Sequence, residues 1–441
     1  MVDSLSIYYS IQSALHALIE DPSAAAYVLP LIFLLEAPIS ILTITGMVRW
    51  YRCYKKRKPL CIQPKVSCII TCYGEGDDII KTVVSLCEQN YKGIIEIIPV
   101  VDGAIQNQDT YEAARKCEEL VKYYPNRTLK IIPKWQRGGR VSTLNSGLAF
   151  ASGEIVMNAD GDTSFDNTMI VEVLREFEDE NVPAAGGSLR VRNYTDGLAT
   201  QMQNLEYMIS IQGNKTGLAN WNLINNISGA FGIFRRDFLK QIGAWDTHTA
   251  EDLDLTVRIK QYFKRHPNFR LPFVPLAIGH TDVPANFKQL FSQRLRWDGD
   301  LVFLYMRKHR YALNPGLIGW KTFLFTLIYG IWQSIMLPIL ILVFNIAMFA
   351  HVDINEYLAL LVVQYIIYLI YALLLYGLFM YMVSERKVQD FKALLFMPLY
   401  PFYGLCMRMA TVFFTLNELV RRGHEESNMA PWWVLARGKR F

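Results

Sequence analysis

The sequence predicts an α/β domain with a mostly parallel central sheet, combined with flanking α-helical segments long enough to cross a membrane. Three observations carry this expectation. Short apolar runs of strand length alternate with helical stretches through residues 65–315, acidic residues stand at the ends of those runs, and long apolar segments lie before and after the block. At 441 residues the chain has room for one large domain plus membrane segments, or for two ordinary domains.

The first apolar segment, residues 24–48, is long enough as a helix to span a hydrocarbon core. Arg49, Arg52, Lys55, Lys56, Arg57 and Lys58 follow it, which places the chain beyond them in the cytoplasm by the positive-inside tendency. A cleaved signal peptide would carry its basic residues ahead of the apolar run, so an anchor is the better reading. Residues 66–71, 94–101, 128–132 and 154–158 are expected as strands, with a helix over 110–123. Asp102 and Asp160 then close two strands at the edge where an open parallel sheet presents ligands. Residues 323–350 and 358–383 are expected to span the membrane, joined by a polar turn containing His351, Asp353 and Glu356. Residues 391–416 hold Pro398, Pro401 and Arg408 and read as a broken, re-entrant or protein-buried helix. Four crossings would leave Arg421, Arg422, Arg437, Lys439 and Arg440 outside, so a cytoplasmic carboxyl terminus is favoured and the number of spans stays open. The expected divisions are an anchor over 1–58, a cytosolic domain with an amphipathic interface region over 59–315, and membrane helices with a basic tail over 316–441.

The net charge of +5 does not form a groove-sized stripe, because the basic residues bracket the membrane segments, and this argues against nucleic acid as a partner. The seven cysteines are scattered without CxxC spacing, which fits free thiols in a reducing compartment better than disulfides or zinc.

Asp160-Gly161-Asp162 sets two carboxylates on alternate positions after an apolar strand, where they can address a divalent ion together with ribose or phosphate; the same triplet also suits a solvated turn. Asp102 is placed to bind a nucleotide. In Thr71-Cys72-Tyr73-Gly74-Glu75, Glu75 can hold a base edge and Tyr73 can contact its face, or Tyr73 is core. Gly138-Gly139-Arg140 joins flexible backbone to a cation ahead of a helix and can reach a phosphate or ribose, without the terminal Lys-Ser/Thr of a P-loop. Glu251-Asp252 opens a helix capped by Thr249. Glu251 suits the helix dipole, and Asp252 is the expected general base for sugar transfer. Gln293, Arg296 and Trp297 offer an amide, a cation for the leaving diphosphate and an indole for the acceptor sugar. A basic helix lying on the membrane with Arg307, Lys308 and Arg310 is compatible with the same residues.

Taken in order, these motifs closely resemble membrane-embedded family 2 glycosyltransferases of the processive type, the group of cellulose, chitin, hyaluronan and poly-N-acetylglucosamine synthases. The resemblance covers about residues 65–300 and includes Gln203-Asn204-Leu205-Glu206-Tyr207, Ser228-Gly229-Ala230 and the QxxRW spacing of Gln293, Arg296 and Trp297. It implies a GT-A-type nucleotide-sugar transferase domain in which Tyr73, Glu75, Asp102, Arg140, Asp160, Gln293, Arg296 and Trp297 bind the donor. It also implies that Asp160 and Asp162 hold Mg²⁺ or Mn²⁺ and that Asp252 is the base. Ala250, Gly74 and Arg140 depart from residues common in relatives, and Asp298-Gly299-Asp300 adds acid after the QxxRW element.

The implied activity is that of an inverting processive synthase in the plasma (inner) membrane with a cytoplasmic catalytic domain. It would extend a β-linked glycan from a UDP-sugar, UDP-N-acetylglucosamine being favoured, and translocate it. The implied partners are the donor, the growing β-glycan and membrane lipids, with no obligatory protein partner. A non-processive transferase acting on a lipid-linked acceptor and a non-catalytic UDP-sugar sensor are the alternatives. Glu36, Gln333, Gln364 and Arg408 are expected either to line a channel or to make helix–helix contacts.

Overall fold

A computed structural model of the chain describes residues 4–20, 32–57 and 59–426. Its centre is a sheet of β1 (Val66–Cys72), β2 (Ile95–Asp102), β3 (Arg127–Leu129), β4 (Ile132–Lys134), β5 (Ile155–Asp160), β6 (Ser164–Phe165), β7 (Ala184–Val191), β8 (Phe231–Arg235) and β9 (Phe273–Thr281). The strand order is β3-β2-β1-β5-β8-β7-β9-β6, with β4 beside β2. β1 and β2 are buried along their whole length, as their nearly continuous apolar sequences require of strands covered on both faces. Alternate residues feed two separate cores. Cys68, Ile70 and Ile97 face the helices Asp78–Cys87 and Gln108–Val121, while Ile69, Ile98 and Val100 face the helix Arg140–Phe150.

The half of the sheet around β1, β2 and β5 is parallel, as expected. Beyond β5 it is mixed, because β8 lies antiparallel to both β5 and β7, β6 lies antiparallel to β9, and β7 and β9 are parallel. The strand expected over residues 128–132 divides into β3 and β4. Each pairs with a different stretch of β2, β3 with Ile95 to Ile97 and β4 with Val100 to Asp102, so the ladder is interrupted between them.

Of the described helices, Trp320–His351, Ile354–Met382 and Lys387–Arg421 are long and apolar enough to cross a membrane. The last is interrupted as its prolines foretell: a 3₁₀ stretch, Ala393–Leu399, carries Pro398 between Lys387–Lys392 and Tyr400–Arg421. The expected anchor over 24–48 lies partly outside the described residues. Its described part is the 23-residue helix Ile32–Tyr54, which continues through Arg49 and Arg52 and contains Pro38. Lys58, Arg437, Lys439 and Arg440 also lie outside the described residues. A helix the sequence reading did not assign, Ser4–Glu20, packs along Ile354–Met382.

The sheet is joined to the membrane helices by close backbone contact and by buried ion pairs. Between β7 and β8 the chain runs through the helix Leu198–Glu206, a π-helical segment Tyr207–Asn214 and the helix Lys215–Ala219, which crosses Ile32–Tyr54. At that crossing a side chain on Gly46 would meet the Gly217 carbonyl, and one on Gly217 would meet the Thr43 carbonyl. Arg190 on β7 pairs with Asp390 at 2.7 Å and Glu385 at 3.0 Å, beyond the Ile354–Met382 helix.

Gly217→Val is expected to cost about 1–3 kcal/mol by forcing these helices apart. Its thermal midpoint in detergent should fall well below that of wild type, whereas Gly377→Ala, which adds a methyl where no atom lies within 4 Å, should leave the midpoint unchanged or raised.

Candidate functional site

Parallel pairing brings the ends of β1, β2 and β5 level, with Thr71 opposite Asp160 and Cys72 opposite Val101. Asp102 therefore sits at the same edge as the Asp160-Gly161-Asp162 triplet. Its buried carboxylate accepts hydrogen bonds from Lys134 Nζ at 2.6 Å, Gly138 N at 2.9 Å and Gly139 N at 2.8 Å. Asp102 thus fixes the glycine turn that opens the Arg140–Phe150 helix, and Gly139 takes a φ of 81° that favours glycine.

Arg140, expected to reach a phosphate or ribose, is committed within the protein. Its Nε donates to Glu251 Oε1 at 2.5 Å, one Nη to Asp160 and to Thr71 Oγ1 at 3.2 Å, and the other Nη to the Gly229 carbonyl at 2.5 Å. A planar guanidinium can make all these bonds at once, whereas an ammonium is a point charge. Burial works against the Arg140 charge, but Asp160 and Glu251 outweigh it and hold the group above its ordinary value. Burial raises the Glu251 carboxyl, with Arg140 opposing and Asp252 adding to the rise.

On the other side of Asp160, burial outweighs counter-charge at the carboxyls. Burial, then the Asp160 charge, pushes Asp162 up to about 6, with Arg192 opposing. Burial pushes Glu75 up to about 7, Asp160 and Asp162 adding to it, and Glu75 Oε2 is buried without a hydrogen-bond partner. Glu75 packs against Gly161, so it belongs to this acidic group as much as to the β1 loop. Hard oxygen donors suit a divalent cation such as Mg²⁺ or Mn²⁺. Among the described residues no group of three or more His, Cys, Asp or Glu side chains is arranged to hold a metal by itself. Tyr73 is half exposed, with the Arg137 guanidinium 4.1 Å from its ring centroid.

Asp252 lies across Arg140 from this group. Its Oδ2 accepts from Gly229 N at 3.0 Å and Asn226 Nδ2 at 3.2 Å, and its Oδ1 accepts from Leu253 N at 2.7 Å. Glu251 and Asp252 do open a helix, Glu251–Lys260, as expected, but Thr249 does not cap it. The N-cap is Ala250 in the left-handed conformation, φ 52°, which diverts Thr249 so that its hydroxyl donates to Asp300 instead.

Gln293, Arg296 and Trp297 share the helix Phe287–Phe303, whose N-cap Asn286 accepts from Gln289 N at 3.0 Å. Gln293 Oε1 is buried without a partner, Arg296 is partly buried and Trp297 is exposed at its rim. Arg294, not singled out in the sequence, orients this element. It pairs with Glu206 at 2.7 Å and lies 4.7 Å from the centroid of Trp297, while Tyr403 from a membrane helix donates to the same Glu206 oxygen at 2.6 Å. Asp300 on the same helix is pushed up to about 7 by burial, with Thr249 and Arg296 opposing and Glu251 and Asp252 adding to the rise.

Glu206 also opens onto a cavity of about 490 Å³ between the membrane helices. Glu36, Gln333, Gln364 and Arg408 all line it, together with Ser210, Asn214 and several tyrosines. Glu36 and Arg408 form an ion pair at 2.5 Å, and Arg408 lies 3.4 Å from the Tyr368 hydroxyl.

The sequence reading missed Lys134 and Asn226 and gave no role of their own to Thr71 and Arg294, which stood inside noted motifs. Gly229 stood inside a noted motif, but nothing in the motif shows that its N–H serves Asp252 while its carbonyl serves Arg140.

Residues 64–299 match the family described as "Glycosyltransferase like family 2". The poly-β-1,6-N-acetyl-D-glucosamine synthase of Staphylococcus epidermidis is 28% identical over 279 residues, covering 60% of this chain and 64% of the relative. That of Staphylococcus aureus strain MSSA476 is 28% identical over 276 residues with the same coverage. The chain thus spans less than two thirds of the length of these curated relatives. A mannosyltransferase from Pyrobaculum calidifontis, solved in complex with GDP-Man and Mn²⁺, superposes with a TM-score of 0.55 at 17% identity, covering 89% of this chain and 100% of that one. The likeness identifies the mixed sheet as a GT-A-like α/β fold.

The Asp300 carboxyl, raised above its unfolded value of about 3.9, makes the folded protein lose stability as pH rises from about 4 to about 7. Asp300→Asn is expected to flatten that part of the curve and to raise the melting temperature above pH 7 by a few degrees. Parallel curves for variant and wild type would refute it.

Proposed function

This chain belongs to the glycosyltransferase-like family 2, and on that premise we propose that it is an inverting, processive polysaccharide synthase. It uses a UDP-sugar, with UDP-N-acetylglucosamine favoured, and passes a growing β-linked glycan across the membrane. Membrane integration and nucleotide-sugar transfer follow from the three apolar helices and the family. The observation that carries the finer reading is the link from Trp297, through Arg294, to Glu206, which lines the same cavity as Glu36, Gln333, Gln364 and Arg408. Polar side chains within a membrane are costly unless paired or facing a cavity, and tyrosines combine a hydroxyl with a ring face suited to sugars. The basic stretch after Ile32–Tyr54 supports a cytoplasmic catalytic domain in the plasma (inner) membrane.

In this reading Asp252, held by Gly229 and Asn226, takes the proton of the acceptor hydroxyl. The hydroxyl oxygen bonds to the anomeric carbon as the bond to the diphosphate breaks, and UDP leaves with the electron pair. Attack from the opposite face turns an α-linked donor into a β-linked product. Arg296 offsets the charge developing on UDP, and Gln293 and Trp297 hold donor and acceptor at the membrane side. Tyr73, Glu75 and Asp102 frame the nucleotide edge, Asp102 through the glycine turn and Arg140 through the position of Asp160. A Mg²⁺ or Mn²⁺ ion held by Asp162 and Asp160 would neutralise the diphosphate and improve it as a leaving group.

Lipid-reconstituted protein is expected to release UDP with UDP-N-acetylglucosamine and to make long, lipid-free polymer detectable by mass spectrometry. Short lipid-linked product would instead assign a carrier transferase, and binding without turnover a sensor. Asp252→Asn should lower kcat by about 10²–10⁴-fold while UDP binding persists. Near-normal turnover in that variant would remove Asp252 from the role.

A further inference from the structure

We infer that Lys215 is the positioning residue for Asp252: a partly buried ammonium that orients the base through Asn226. This inference rests on the reading of Asp252 as the base.

Lys215 opens the short helix after the π-helical segment Tyr207–Asn214, at the point where the chain leaves the membrane cavity lined by its neighbour Asn214. Its Nζ lies 3.3 Å from the Asn226 carbonyl, and the Asn226 side chain donates to Asp252 Oδ2 at 3.2 Å. A single residue therefore touches both the lysine and the base. Lys215 forms no ion pair within 4.0 Å among the described residues, and the charge it feels is that of Asp252.

The other charged groups around Asp252 are either carboxyls or cations already engaged. Glu251 adjoins it on its own helix, and Asp300 faces it from the Phe287–Phe303 helix. The Asp252 charge adds to the rise of both. Arg140 is shared between Asp160 and Glu251, and Arg296 acts on Asp300. Lys260, further along the Asp252 helix, is buried and donates to the Asn225 carbonyl at 3.1 Å. Of these cations, Lys215 is the one on which the Asp252 charge acts, and burial alone acts on Lys260.

Burial lowers Lys215 to about 8, with Asp252 opposing the fall. The ammonium is present below that pH and lost above it, so activity should decline on the alkaline side as Lys215 deprotonates. An arginine at 215 would keep its charge throughout this range.

The test is the pH dependence of UDP release by the full chain in lipid, for wild type, Lys215→Arg, Lys215→Met and Asp252→Asn. Lys215→Arg is expected to stay active and to lose the decline above about pH 8. Lys215→Met should bind the UDP-sugar as tightly as wild type, but its kcat should fall roughly tenfold across the pH range and show no alkaline decline of its own. A Lys215→Met profile that overlays wild type, or an alkaline limb that persists in Lys215→Arg, would overturn the proposal. If Lys215→Met does not fold, the arginine profile alone decides. Full activity in Asp252→Asn would defeat the base assignment itself, whereas an inactive Asp252→Asn beside an unchanged Lys215→Met profile defeats only the role of Lys215.

Discussion

The ion pairs of Arg140 are the constraint on which the site depends. One guanidinium joins Asp160 at the end of β5, Glu251 at the head of the helix that bears Asp252, and the Gly229 carbonyl beside the start of β8. These three points come from separate parts of the chain and carry two negative charges close together. Without a cation between them, a buried carboxylate would be left uncompensated, which is far more costly than the net worth of any one of the pairs. Asp102 in turn holds the Gly138-Gly139 turn from which Arg140 projects. The strand-end acids thus have a structural part before any ligand is considered, and the side open to a cation is that of Asp162 and Glu75.

A second junction lies at the membrane face of the site. Arg294 and Tyr403 converge on Glu206, so the helix carrying Trp297, the segment running to Lys215 and a membrane helix meet at one carboxylate. Thr249 and Asp300 make a parallel link from the same Trp297 helix to the loop before Asp252. Trp297 and Asp252 are therefore held to a common support.

Much of this was legible in the sequence where local pattern determines structure. The apolar runs gave β1, β2 and β5 to within a few residues, and hydropathy gave two of the three apolar helices and the break at Pro398 in the third. The acidic motifs do converge, because strand ends in a parallel sheet share an edge. What was not legible depended on tertiary partners. The antiparallel placement of β8 is set by a long excursion between β7 and β8, and the division of β3 from β4 by their separate registers on β2. Thr249 looked like a cap because the left-handed turn at Ala250 has no signature in an alanine. Arg294 and Arg296, two residues apart, point to opposite faces of one helix, and only the fold shows which face meets Glu206.

The Glu36–Arg408 pair gives the cavity between the membrane helices a particular electrical character. A charge moved through the transmembrane field exchanges about 2.3 kcal/mol with it per 100 mV. Two opposite charges held 2.5 Å apart cancel almost all of that coupling. The pair therefore gives the lining polarity without net valence at that point: it can offer hydrogen bonds, yet membrane voltage would exert almost no force on it.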